Sequence, residues 1–478
     1  MSERLGFEQY MTSHLDLAIA SIEAALPLWH RVEDPDGLAA AHDSCAVFEY
    51  YNAHRRAAEE HAERAIALTD EGAGRAYASA RATRAYLAYQ RSDFALSEAC
   101  TRDTLRVAAA LGDRGLTLRG SLVAAVRDLA SGVPGAREQC MRLIEQARAA
   151  GLDELTSTGY SHVSYLDVEH TRLRRAEEVL ETSLPFTIER DIPICRHWQT
   201  AVRSRLRFRE GRWTAALEDA SEVLDGVGMP VARFWPLLVG AQVRLRRGEG
   251  ADLEPAWTLA GQLDEPLRMV PVLAALAERA WLTGVPDARV QDALTTLGAR
   301  ATHPGLRWAV GDLAVWLARL GLPTHADPAV LPEPHRLSLA GDHDAAAAWW
   351  HAAGAPYEEA LARTDASDLD RVREGIERLD LLGASASADR VRRDLRQRGV
   401  VQLPVRPRTS TLANPAGLTN RQLDVARLVA RGFTNAEIAN RLYISPKTTD
   451  HHVSAVLTKL GMPSRRSVVV QAAELGLS

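Results

Sequence analysis

Between Ser445 and Gly461 the side chains have the types and spacing for hydrogen bonding to base edges. Lys447, Asp450, His451, Ser454 and Thr458 fall on one face of a helix, opposite Val453, Val456, Leu457 and Leu460. Lysine donates to guanine O6 or N7, aspartate accepts from cytosine N4, and serine does either. A solvated helix face is the plain alternative for any one of these residues; the set, together with what surrounds it, points to reading double-stranded DNA.

The elements that must hold this face are marked by their ends. Thr419 with Gln422 and Thr434 with Glu437 are capping boxes. The first opens a helix that buries Leu423, Ala426, Leu428 and Val429 and stops at Gly432. The second opens a short helix, Asn435–Leu442, that turns Ile438, Ala439 and Leu442 inward. Tyr443 and Ile444 make a tight turn. Ser445 then caps a third helix, with Pro446 at its first position, where a missing N–H costs nothing. Thr449 joins the apolar face of that helix. Ser464 caps a fourth helix, expected to reach Leu475 before Gly476. Two helices joined by a tight turn form a helix-turn-helix, which lays its second helix in the major groove.

Other chemistries are excluded by what is missing. Lys447 and Lys459 are the only lysines, the rest of the 57 basic residues being arginine. Neither follows a glycine, so no phosphate-cradling G-x-x-x-x-G-K-[ST] loop exists, and neither ATP binding nor Schiff-base chemistry is expected. Before 447 there is also no lysine for a phosphoacceptor receiver domain. Cys45, Cys100, Cys140 and Cys195 stand singly, without a C-x-x-C pair, and read as small core residues in a reducing compartment. The triplet Asp450-His451-His452 matches a motif of metal-dependent phosphoesterases, but those enzymes need further ligands from strands, and this triplet lies on a capped helix. The expectation is a protein that is not an enzyme and carries no metal or cofactor.

At 478 residues the chain needs at least two domains. No run of about 18 apolar residues offers a membrane span, and the N-terminus lacks a secretory pattern, so a cytoplasmic location is expected. Residues 400–478 carry ten Lys/Arg against four Asp/Glu, a net +6, which leaves −11 for residues 1–399. A basic tail on an acidic body assigns nucleic acid to the tail alone.

Residues 1–399 read as helical throughout. Ala58, Ala62, Ala65 and Ile66 lie at i, i+4, i+7 and i+8; so do Ala136, Cys140, Leu143 and Ile144, and Ala216, Ala220, Val223 and Leu224. Ala176, Leu180 and Leu184 follow the same stripe, and Leu96 with Cys100 is a weaker copy. The spacing of these anchors, 38 to 40 residues, predicts a tetratricopeptide-like solenoid of helix pairs, with breakers at Ser131–Gly135 and Gly226–Pro230. A non-repetitive helical bundle is the alternative. Beyond about 250 the period blurs, although Pro286–Arg300 and Gly341–Leu361 still look helical. Trp198, Trp213, Trp235, Trp257, Trp349 and Trp350 either pack between helices or line a ligand cage. Residues 400–417, with three prolines and no acid, read as a linker whose Arg406 and Arg408 touch phosphates or are simply solvated. The organisation expected is a repeat domain over 1–399, the linker, and a DNA-binding domain over 418–478, in an all-α fold.

Residues 418–478, with Leu418-Thr419-Asn420-Arg421-Gln422-Leu423-Asp424-Val425, Asn435-Ala436-Glu437-Ile438-Ala439, Ser445–Ser454 and Lys459-Leu460-Gly461, resemble the LuxR-type DNA-binding domain. Gln422 stands where that family mostly has Glu, and Thr449 where Val is usual. The resemblance implies base contacts from Lys447, Asp450, His451 and Ser454. It implies phosphate contacts from Asn435, Thr448, Lys459 and Arg465. Val468, Val469, Ala472 and Leu475 of the fourth helix would pair two modules as a homodimer on DNA. Upstream, Gly341–Trp350, Ala355–Ala362, Leu382-Gly383-Ala384, Arg408–Thr411 and Asn414–Gly417 are similar to large ATP-binding LuxR regulators. The chain resembles their C-terminal half, either as a natural short form or as a truncated piece. The function implied is sequence-specific transcription regulation, with the repeats sensing an effector or protein partner and RNA polymerase as a further partner. The alternative is an interaction scaffold in which the helix-turn-helix serves docking or oligomerisation.

Overall fold

The computed structural model describes residues 2–69, 73–291, 293, 295, 302–400, 403, 404, 416, 418–472, 475 and 477. Every regular element among them is helical. The chain divides into two compact units, Met1–Ala366 and Ser367–Ser478. The sequence places the end of the repeats at 399. By compactness, the helices Leu369–Leu381 and Ser385–Gln397 group with the C-terminal unit.

In the first unit, helices follow one another as antiparallel pairs. The first members are Pro35–Tyr51, Arg75–Gln90, Arg114–Ser131, Asp153–Glu169, Pro193–Arg209 and Phe234–Arg247. The second members are Arg55–Ala67, Phe94–Leu111, Ala136–Ala149, Leu173–Glu189, Trp213–Asp225 and Glu254–Leu263. Each first helix packs on its partner and on the first helix of the next pair. The anchors expected from the period lie on the second members. Ala58, Ala62, Ala65, Cys100, Cys140, Ala176 and Ala216 are fully buried. Side chains this small let backbones approach closely, and the gain is dispersion rather than bulk. Leu96 is only half-buried, in keeping with its weaker pattern.

All four cysteines are buried and unpaired, and burial pushes the thiols of Cys45, Cys140 and Cys195 up to about 12. Trp198, Trp213, Trp235 and Trp350 are packed inside, and the Trp213 Nε1 donates to the Phe208 carbonyl at 3.1 Å. Beyond Pro266–Thr283 the pairs shorten. His343–Ala353 and Pro356–Thr364 are helical as expected; of Pro286–Arg300, only Ala288–Gln291 has a described helix, and most of the remainder lies outside the described residues.

Arginine–carboxylate pairs join distant parts of this unit. Arg55 reaches Glu265, 210 residues on, at 3.3 Å, and Arg268 bonds the other oxygen of Glu265 at 2.8 Å. Arg246 bonds Glu278 at 2.7 Å while its guanidinium stacks 3.5 Å from the centroid of the Tyr357 ring. The Tyr357 hydroxyl donates to the same carboxylate at 2.7 Å. Both ions are buried, so each depends on the other for compensation. Glu278→Ala should therefore cost about 3–5 kcal/mol, read as an earlier denaturation midpoint by tryptophan fluorescence. A midpoint equal to wild type would show that Arg246 finds solvent without its partner.

The second unit holds the pair Leu369–Leu381 and Ser385–Gln397, tied by the buried ions Arg392 and Asp380. The module of Asn420–Ala430, Asn435–Leu442, Pro446–Lys459 and Arg465–Val470 follows. The fourth helix is shorter than expected: it ends at Val470, and Gln471 and Ala472 form a turn. Three consecutive valines, each restricted at χ1, make a weak helix former. Arg406 and Arg408 lie outside the described residues.

Candidate nucleic-acid interface

The module's core is Leu418, Leu423, Val425, Ala426, Val429, Ile438, Val453, Val456, Leu460, Val468 and Leu477. It draws on all four helices, so none of them holds its place alone. Both capping boxes are closed in both directions. The Gln422 side chain accepts from the Thr419 N–H at 3.0 Å, so the replacement of Glu by Gln leaves the box intact. In the second box the Glu437 carboxyl is held below its usual range by hydrogen bonds from the Thr434 backbone and side chain.

The second helix ends at Tyr443, which takes a left-handed conformation at φ 51° and is almost wholly exposed. Arg421 donates to the Leu442 carbonyl, one of the acceptors that a helix C-terminus leaves open. Ile444 N–H returns to the Ala439 carbonyl at 3.0 Å. The Ser445 side chain then accepts from Thr448 N–H at 3.0 Å and starts the third helix. Thr449 is fully buried one turn in. Its hydroxyl donates to the Ser445 carbonyl at 3.2 Å, so the polar atom at this core position has a partner.

Lys447, Thr448, Asp450, His451, Ser454, Thr458 and Lys459 are all exposed on the third helix, and His452 is half-buried. Several of them are already engaged. Asn435 Nδ2, from the first turn of the second helix, donates to Asp450 Oδ1. Arg465 Nη1, from the start of the fourth helix, donates to Asn435 Oδ1 at 2.8 Å. Three residues assigned to two tasks, base reading for Asp450 and phosphate holding for Asn435 and Arg465, thus form one chain across three helices. Nothing in the sequence spacing signals it, because the contacts are 15 and 30 residues apart. Thr448 Oγ1 lies 2.7 Å from Ser445 Oγ, and Lys459 Nζ donates to Gln422 Oε1 at 3.0 Å.

The four residues expected to pair two modules are divided between inside and outside. Val468 is fully buried in the core, and Leu475 packs against it. Ala472 is half-buried, whereas Val469 is exposed and its neighbour Val470 more so.

Residues 416–472 match the family model for bacterial regulatory proteins of the luxR family. The chain is also similar to a protein described as an HTH-type transcriptional regulator, Rv0890c, of Mycobacterium tuberculosis, with 48% identity over 59 residues. That is 12% of this chain and 7% of the relative. The oxygen regulatory protein NreC of Staphylococcus aureus is 40% identical over 55 residues, 12% of this chain and 25% of that protein. The chain therefore covers less than a tenth of the mycobacterial relative and a quarter of NreC. Residues 416–472 are thus a luxR-family helix-turn-helix domain.

The buried hydroxyl at 449 gives a direct test of the core. Because the Ser445 carbonyl also accepts the Thr449 N–H at 3.0 Å, Thr449→Val leaves no acceptor open. That variant should match or exceed wild type to within about 1 kcal/mol. Thr449→Ser, which loses a buried methyl, should be about 1 kcal/mol less stable. Hydrogen exchange of amides 420–470 in the intact chain measures both, and the reverse order would place the side chain outside the core.

Proposed function

We propose that the chain is a DNA-binding transcription regulator and not an enzyme. The carrying observation is the exposed polar face of the third helix, Lys447, Asp450, His451 and Ser454, on a helix whose other face is locked into the module's core. A rigid helix with such a face suits major-groove readout. The net positive charge of residues 400–478 favours the phosphate backbone.

In this reading Lys447, Asp450, His451 and Ser454 meet base edges, while Thr448, Asn435, Lys459 and Arg465 face phosphates. The domain scheme is a tetratricopeptide-like repeat region over 1–399, a linker over 400–417 and the DNA-binding domain over 418–478. The repeat region receives an effector or protein partner, and RNA polymerase is the partner through which occupancy reaches transcription. Among the described residues no helix is long and apolar enough to cross a membrane, and the site of action is the cytoplasm. Two modules pair on symmetric half-sites, since one helix covers few base pairs. Val469 and Val470 are the apolar side chains that the module leaves outward for that contact.

Selection from randomised duplex DNA with the intact chain tests the assignment. Asp450→Ala and His451→Ala should each change preference at one or two positions, by roughly 1–3 kcal/mol per position. Lys459→Ala should weaken all sequences alike and lower the salt slope by about one unit. The same preferred sequence from every variant would mean that the wrong face has been placed in the groove. The absence of any salt-dependent, sequence-selective binding would favour the interaction scaffold instead.

Val469→Glu should leave affinity for a single half-site unchanged and abolish cooperative filling of two, measured by footprinting. Undiminished cooperativity would remove the fourth helix from the pairing surface.

A further inference from the structure

A cavity of about 520 Å³ lies in the first unit among the first helices of successive pairs, Pro35–Tyr51, Arg75–Gln90, Arg114–Ser131 and the start of Asp153–Glu169. That volume is in the range of small-molecule sites. Most of its wall is apolar or aromatic, with Phe48, Tyr51, Tyr86, Leu122 and Val126 among the lining residues.

A compact polar group interrupts that wall. Ser79 Oγ donates to Asp43 Oδ2 at 2.6 Å and accepts from Arg119 Nη1 at 3.0 Å, while Arg119 Nη2 donates to Thr83 Oγ1 at 2.8 Å. Ser79 thus stands between a guanidinium and a carboxylate. Among the described residues Arg119 bonds two neutral hydroxyls and no carboxylate, in a unit where Arg55, Arg209, Arg246 and Arg268 all have carboxylate partners. Asp43 is more than nine-tenths buried, and its Oδ1 has no hydrogen-bond partner among the described residues. Leaving such an acceptor unmade is costly. A cation and an anion therefore flank Ser79 on a cavity wall, Arg119 with N–H groups left over and Asp43 with an enclosed Oδ1 that has no partner among the described residues.

A ligand that satisfies both must carry anionic oxygens and cationic N–H groups on neighbouring atoms, and its body must suit aromatic and aliphatic walls. We propose that the cavity binds a free α-amino acid with a large apolar or aromatic side chain. Its carboxylate faces Arg119, its ammonium faces Asp43, and its side chain packs on Phe48, Tyr51 and Tyr86. The planar guanidinium fork matches a carboxylate through two parallel bonds, which a lysine could not supply. The role of this ligand as effector rests on the regulator reading above; its binding does not.

The test is isothermal titration calorimetry of the full chain with L-tryptophan, L-phenylalanine and L-leucine. Tryptamine, which lacks the carboxylate, and indole-3-propionate, which lacks the ammonium, are run beside them. Saturable one-to-one binding of at least one amino acid is expected, with each truncated analogue weaker by about tenfold or more. Arg119→Gln should make L-tryptophan and tryptamine bind alike, and Asp43→Asn should do the same for L-tryptophan and indole-3-propionate. Arg119→Lys, with an unchanged melting temperature, guards against loss of fold and should bind between wild type and Arg119→Gln. No saturable binding by any of the three amino acids, or binding that neither substitution alters, overturns the proposal. The bound amino acid is then added to the DNA-selection assay. Unaltered DNA affinity beside intact calorimetric binding would sink the effector role and leave the cavity assignment standing.

Discussion

A module of about sixty residues has room for one small core, and in this chain that core is closed by one face of the helix Pro446–Lys459. Thr449, Val453, Val456 and Leu460 are buried on it at helical spacing, against Leu423, Val425, Val429 and Ile438 from the two helices before. Rotating the helix by one residue would bury Asp450 and Ser454 and expose valines, at a cost of several kcal/mol in desolvated polar groups alone. The orientation of the outward face is therefore fixed by what the inward face must cover. The caps at Ser445 and Leu460 fix where that face begins and ends.

The first unit meets a different constraint. Its second helices bury alanine or cysteine at the repeated anchors, beside larger side chains such as Ile144, Leu180, Phe186 and Trp213, so close approach at the anchors adds to the burial of bulk around them. Charged residues then link helices distant in sequence. With two lysines in the whole chain, the cations inside are guanidiniums, which keep their charge when buried and present several donors in a plane. Arg246 shows the consequence: one face of its plane lies on Tyr357, and its edge meets both oxygens of Glu278. A compact ammonium would satisfy fewer of these contacts.

Both halves of this organisation were legible where the signal is local. Thr419 with Gln422, Thr434 with Glu437, Ser445 with Pro446, and the glycines at 432 and 461 mark helix ends through atoms three or four residues apart, so a sequence shows them directly. The stripes anchored at Ala58, Ala136, Ala176 and Ala216 were visible for the same reason. Contacts without a period were not. Nothing about Arg55 names Glu265 as its partner, and nothing about Asn435 names Asp450 and Arg465. Gly476 as a stop signal predicts a fourth helix reaching Leu475, whereas the helix ends after Val468-Val469-Val470. The cavity between the first helices had no sequence signature either, since Asp43, Ser79 and Arg119 come together only when three helix pairs stack.

The chain of hydrogen bonds from Arg465 through Asn435 to Asp450 changes how the module's face should be understood. Separating phosphate contacts, which set register, from base contacts, which set sequence, presumes that the two groups act independently. Here they share atoms. Asn435 donates to one and accepts from the other, so on the proposed assignment a phosphate that drew Arg465 away would remove the donor to Asn435 Oδ1 and loosen the hold on Asp450 Oδ1. An aspartate restrained in this way loses less rotamer freedom when it meets a base, but it must also exchange one hydrogen bond for another rather than gain one outright. On the proposed assignment, the net preference at a base met by Asp450 would be a difference between two charge-assisted bonds. It depends on what the fourth helix is doing, and through Val468 the fourth helix is part of the same small core that aims the third.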